Sequence, residues 1–155
     1  MNSRHLPFVQ FEEANGRFRA LVSIEGVLQM EGDPEIVLAE AADLYEHYLG
    51  EMRALVSAIE SLRTSRKLVP ARKVWRLGNL IFEFRSRLEG LSLQIDGLYT
   101  HLVRDLGVKR KWLEKVVILR RYVPTEELIP ESLNWGRCEK GTRRVVQGLL
   151  HETRQ

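Results

Sequence analysis

The residues best suited to chemistry lie in one stretch, Leu98 to Val123, which reads LYTHLVRDLGVKRKWLEKVVILRRYV. Between Arg104 and Arg121 it holds seven basic groups and two acidic ones. Long cationic donors at that density suit the phosphate oxygens of a nucleic acid. Lys109, Arg110 and Lys111 stand together, and Lys115 follows one helical turn later. At the start of a recognition helix such side chains reach guanine acceptors as well as phosphates. Arg104, Arg120 and Arg121 would add phosphate contacts. Glu114 is placed to accept from a cytosine amine, or to pair with Arg110 or Lys111.

Two helices and a sharp turn must position these groups. Leu102, Val103 and Leu106 have the spacing of an inward face on the first helix. Gly107 can take the left-handed conformation of a tight turn. Val108 would fill the angle between the helices, and Leu113, Val116 and Val117 return to the core at helical spacing. Trp112 either packs inward or stacks. A plain helical hairpin with a solvated basic face has the same pattern, so both readings stay open. Two further basic groups, Arg63/Arg66/Lys67/Arg72/Lys73/Arg76 and Arg137/Lys140/Arg143/Arg144, offer second phosphate contacts or solvated surface.

Other chemistries find less support. His5, His47, His101 and His151 are scattered, with no Cys or carboxylate at metal-ligand spacing. There is no Gly-rich phosphate loop and no Gly-x-Ser-x-Gly. Cys138 lies among arginines that would favour its thiolate, yet a lone helical cysteine is usually inert. Glu12-Glu13 and Glu126-Glu127 are adjacent pairs whose side chains diverge. The expectation is a chain with no catalytic residues, metal or cofactor.

Upstream, Asn15-Gly16 is the preferred pair for a two-residue hairpin turn within Phe8 to Glu25. The turn sets the register: Phe18 with Glu13, Ala20 with Phe11, Val22 with Val9, and Arg19 opposite Glu12. Gly26 to Gly32 reads as a further short strand or turn. Asp33-Pro34 opens a helix that continues to about Lys67. Its apolar residues Leu38, Ala41, Tyr45, Tyr48, Met52, Leu55, Ile59 and Leu62 step by alternating threes and fours, the pattern of a coiled-coil seam. On that spacing Tyr45, Tyr48, Met52, Leu55, Ile59 and Leu62 are candidates for a homodimer contact. Leu44, Leu49 and Val56 widen the stripe, as in a helix lying on its own core. Helices then follow over Ala71 to about Gly90, up to Pro124, and from Trp135 to about Glu152 with a break near Gly141.

The segment from Val74 to Leu150 resembles helical DNA-associated domains of prokaryotic and phage proteins, among them the N-terminal domain of YhcG-type nucleases. The likeness rests on Trp75-Arg76-Leu77-Gly78-Asn79-Leu80-Ile81, on Leu102 to Leu113, and on Leu133-Asn134-Trp135. Asn134 stands where the family has Ser, and Gly136-Arg137-Cys138 stands where it has Ser-His-Tyr. The resemblance implies association with DNA and does not carry nuclease activity across.

Composition bounds the rest. At 44% hydrophobic and 29% charged residues the chain has globular rather than disordered character. Residues 1–60 hold four basic and eleven acidic groups, net −7, and residues 61–155 hold twenty and ten, net +10. That split points to two faces with different partners, or to two halves that pair with each other. No apolar run approaches a membrane span, Met1 to Pro7 lacks a signal-peptide core, and one cysteine fits a reducing compartment. The expectation is a cytoplasmic, mainly α protein: a helical bundle with a helix-turn-helix-like pair and a small N-terminal β-hairpin. Residues 1–67 would form the oligomerising hairpin and long helix, and 68–155 the basic DNA-binding part, unless all 155 residues share one domain. Duplex DNA and a second copy are the expected partners. The alternative is an assembly subunit whose N-terminal half engages another protein.

Overall fold

Local turn chemistry sets the first element of the structure, a computed structural model that describes residues 5–153. Met1 to Arg4 of the N-terminal stretch and the His151 side chain lie outside the described residues. Asn15 and Gly16 have φ of 55° and 79°, as the two-residue turn requires. They join β1 (Phe8–Ala14) to β2 (Arg17–Val22) in the expected register, Val9 opposite Val22, Phe11 opposite Ala20 and Glu13 opposite Phe18. Arg19 Nη2 lies 2.6 Å from Glu12 Oε1 across the strands.

A short strand that the sequence did not announce, β3 (Gln94–Ile95), runs parallel to β1 and gives the order β2-β1-β3. Gln94 N–H donates to Pro7 O and Asp96 N–H to Val9 O. Where β3 runs out, side chains complete the edge. Phe11 N–H donates to His101 Nε2 at 2.8 Å, and Arg104 Nη2 donates to Phe11 O at 2.9 Å. The backbone groups of Phe11 are thus satisfied without a longer third strand.

Gly26 to Gly32 departs from expectation. Residues from Ile24 to Gln29 form helix α1, with Ser23 Oγ accepting from Gly26 N–H at the N-cap. Gly26 is needed there because a Cβ would lie 2.2 Å from Val22 Cγ1. The long helix α2 (Pro34–Thr64) begins as its cap predicts, with Asp33 Oδ1 accepting from Glu35 N–H.

The apolar stripe of α2 is used within the chain. Tyr45, Tyr48, Met52 and Ile59 are buried, and Leu55 and Leu62 are half-buried against the same core. This corrects the reading of a seam between two copies for the four buried side chains, which present no surface to a partner. The physical reason is the width of the stripe: the hairpin, α3 (Ala71–Gly90) and α4 (Leu98–Leu106) all lie on it. Phe11 stacks on Tyr45 with ring centroids 4.3 Å apart, and Phe84 meets both edge-on. Val9, Tyr45 and Met52 from the first half share one core with Leu77, Phe84 and Leu102 from the second.

The remaining helices are α5 (Arg110–Tyr122), α6 (Trp135–Lys140) and α7 (Thr142–Thr153), with a single 3-10 turn at Glu126–Leu128. The chain is therefore mainly α, with seven α-helices and one small sheet among the described residues. Helix α5 seats on α3 at Gly78, where a Cβ would lie 2.7 Å from Arg120 Cβ and 3.0 Å from Val116 O. Two effects compete in Gly78→Ala. The helix gains about 1 kcal/mol of propensity, and overpacking against backbone costs about 1–3 kcal/mol. Packing dominates, so the variant melts several degrees lower, at about 2–4 °C per kcal/mol. A raised Tm in a thermal melt would show that α5 does not seat there.

Candidate nucleic-acid interface

The two helices that carry the basic stretch are separated by Gly107, Val108 and Lys109. Gly107 has φ 67° and its N–H donates to Val103 O, which closes α4 and turns the chain. Val108 is half-buried against the core at the angle. Helix α5 then turns Leu113, Val116 and Val117 inward. Trp112 also packs inward, meeting Trp135 edge to face at 6.4 Å, with the Arg63 guanidinium 5.7 Å from its ring centre.

The opposite face of α5 is where the cations stand. Lys109, Arg110 and Lys111 are exposed at its N-terminal end, Lys115 is half-buried one turn on, and Arg121 is exposed near its far end. The first turn has no acidic residue and no side-chain cap. A helix N-terminus already carries positive partial charge, so three cations there raise the local potential and disfavour the free helix. An anion placed at that end would relieve both.

Four of the seven expected nucleic-acid residues share this face, Lys109 stands at the N-cap beside it, and two are taken up by the fold. Arg110 is partly engaged, with Nε 3.2 Å from Glu114 Oε1 and its guanidinium 5.3 Å from the Tyr99 ring centre. Lys109, Lys111, Lys115 and Arg121 have no ion pair or side-chain hydrogen bond among the described residues. Arg104 is committed to structure instead. It grips Asp105 with Nε and Nη2 at 2.8 and 2.9 Å while donating to Phe11 O. Arg120 donates to Asn79 Oδ1 at 2.9 Å and lies over Phe82 and Trp75, 4.5 and 5.4 Å from their ring centres. Both arginines are better read as packing and positioning groups than as phosphate contacts. The change has a physical cause: each guanidinium satisfies partners brought from other elements.

Arg85 was not distinguished in the sequence, and it lines a surface depression with Tyr99 and Arg121. Its signal would have been an outward place on α3 close to the end of α5, which only the packing of the two helices reveals. Three of the six cations in the first additional basic cluster are paired. Arg72 pairs with Glu131 and donates to Ile129 O, Arg76 pairs with Glu126 at 2.5 Å, and Arg63 pairs with Glu60.

His101 resolves as a packing residue. Its Nε2 accepts from Phe11 N–H, so the ring proton sits on Nδ1 and donates to Gly97 O at 2.9 Å. His47 is exposed and lies 3.8 Å from Glu51. Cys138 is fully buried, and burial pushes its thiol up, with Arg137 offsetting only part of that. The arginine-activated thiolate considered from the sequence is therefore corrected to a buried thiol.

Where α2 meets the end of α4, Tyr45 Oη donates to Asp105 Oδ2 at 2.5 Å and Arg53 Nε donates to Asp105 O. Burial pushes the Tyr45 phenol well above its usual range, and Asp105 adds to that, so the phenol remains a donor. Burial opposes ionisation of Asp105, but the Arg104 and Tyr45 hydrogen bonds outweigh it and hold the carboxyl below its usual range. A depressed folded-state value stabilises the fold above the ordinary Asp value of about 3.9. That stabilisation is lost as pH falls through the depressed value. Asp105→Asn is expected to lose about 1–3 kcal/mol at neutral pH and to show a shallower acid limb. Urea titrations between about pH 2 and 7 measure both effects. Identical acid limbs in the two proteins would exclude Asp105 as a source of acid sensitivity.

No family model, curated protein or solved structure matches this chain. Among the described residues no helix is long and apolar enough to cross a membrane.

Proposed function

We propose that this chain binds duplex DNA through the outward face of α5, as a regulator or accessory factor rather than as an enzyme. The observation that carries the reading is the start of that helix: three consecutive cations, with no acidic residue or side-chain cap, at the end where the helix is itself positive. The helix-turn-helix-like arrangement and the resemblance to helical DNA-associated domains support it. Phosphate contacts from Lys109, Lys111, Lys115 and Arg121 would position the chain. Arg110, released from Glu114, would be free to reach a base edge. The test is fluorescence anisotropy of a labelled random duplex titrated with protein at several salt concentrations. Affinity that falls steeply with salt, and is largely lost in Lys109/Arg110/Lys111→Ala, is the expected outcome. No binding at low salt would sink the reading.

One observation favours an assembly role for the acidic half. Ile24 and Leu28, a helical turn apart on α1, are 84% and 82% exposed. Sedimentation across a range of protein concentrations tests the simplest form, a second copy. An unchanged monomer would remove the homodimer.

A further inference from the structure

The C-terminal cations stand apart from those of α5, and they converge on a groove. Arg137, Lys140 and Arg144 line a cavity of about 650 Å³ together with Ser132 and Asn134. That volume falls within the range of about 300–1,000 Å³ typical of small-molecule sites. The groove's walls are held by backbone and side-chain bonds. Ala71 N–H donates to Leu133 O at 2.9 Å and Trp135 N–H to Val69 O at 2.7 Å, which pins the segment before α6 to the start of α3. Thr142 Oγ1 donates to Cys138 O at 2.8 Å, which ties α7 to α6 across the break at Gly141.

Among the described residues the charge in this groove has no compensating partner. No carboxylate among the described residues lines it, and the side chains of Arg137, Lys140 and Arg144 have no ion pair or hydrogen bond there. Two acids nearby in sequence are used elsewhere: Glu131 pairs with Arg72, and Glu139 lines a different depression beside Trp112. The polar neighbours are suited to donate. Asn134 Oδ1 already accepts from Arg137 N–H at the α6 N-cap, which leaves its amide N–H groups, and Ser132 adds a hydroxyl. Gly148 lines the groove, and a Cβ there would meet nothing within 4 Å, so a larger side chain has room to enter.

We infer that this groove is a binding site for a phosphate-bearing ligand, with Arg137 and Arg144 as forked donors and Lys140 as a point charge. The ligand's phosphates could belong to a free nucleotide or to a nucleic-acid strand, and the chemistry that recognises them is shared. The site does not depend on the α5 reading.

The test is isothermal titration calorimetry of the full chain with inorganic pyrophosphate. Saturable one-to-one binding is expected, weakened about tenfold or more in Arg137→Ala/Arg144→Ala. Gly148→Leu is a second blocking variant that leaves every charge in place and favours the helix. It should weaken binding to a similar degree, while Arg17→Ala, which removes an exposed cation on the hairpin, should leave it unchanged. A nucleoside triphosphate that binds more tightly than pyrophosphate would assign the site to free nucleotides. A short single-stranded oligonucleotide that displaces pyrophosphate more effectively than the nucleotide would assign it to a strand. Absence of saturable binding, or equal affinity in the parent and both blocking variants, would overturn the site. Pyrophosphate binding without duplex binding would overturn the α5 reading and leave this one standing, and the converse result would do the reverse.

Discussion

Replacing Lys109, Lys111, Lys115 and Arg121 together by Ala is expected to flatten the salt dependence of duplex binding. Each phosphate contact contributes about −0.9 to the slope of log affinity against log salt. Removing four contacts should therefore reduce the slope by about 3–4, with a uniform loss of affinity across sequences of about a hundredfold or more near 0.1 M salt. These four cations have no competing partners among the described residues, so the fold should tolerate the change. Arg104→Ala and Arg120→Ala should behave in the opposite way. Arg104 holds Asp105 and Phe11 O, and Arg120 fills the space above Gly78 between Asn79, Phe82 and Trp75. Their loss should lower the melting temperature and leave the salt slope nearly unchanged. Anisotropy and thermal melts on the same preparations separate the two groups. A quadruple variant with the parent's slope would remove α5 as the contact surface.

The second large effect concerns the hairpin. Phe11→Ala is expected to cost about 3–5 kcal/mol, as for other large aromatic truncations in a core. Phe11 is 1% exposed, stacks on Tyr45, and its backbone is held on both sides by His101 and Arg104. An isolated two-stranded hairpin is marginal in water, so nearly all of its order comes from this docking. Phe8→Ala is the internal control, because Phe8 is 55% exposed and its loss should change stability by less than about 0.5 kcal/mol. Urea unfolding of both variants gives the comparison. A cost below about 1 kcal/mol for Phe11→Ala would mean that the hairpin does not dock on α2 and α4 in solution.

Much of the fold was legible because its determinants act over a few residues. Asn15-Gly16 sets the hairpin register because few residue pairs accept two positive φ angles in succession. Asp33 and Pro34 start α2, and Gly107 ends α4, for reasons equally local. The inward faces of α4 and α5 follow from 3.6-residue periodicity alone. Helix α1 was missed because its N-cap, Ser23, directly follows a strand, and Gly26 there serves a close approach rather than a turn.

What only the tertiary structure decided was the fate of groups that could serve more than one role. The α2 stripe fits a dimer seam and an internal core equally well by spacing, and the hairpin, α3 and α4 occupy it. Arg104 and Arg120 look identical to Lys111 and Arg121 in the sequence. They differ because Phe11 lies 93 positions from Arg104, and Asn79 lies 41 positions from Arg120. The groove at Arg137, Lys140 and Arg144 likewise depends on Glu131 and Glu139, close by in sequence, being turned elsewhere. Backbone preferences and helical periodicity are carried by neighbouring residues. The pairing of a charge is settled by whichever partner packing brings within reach, and that partner can come from anywhere in the chain.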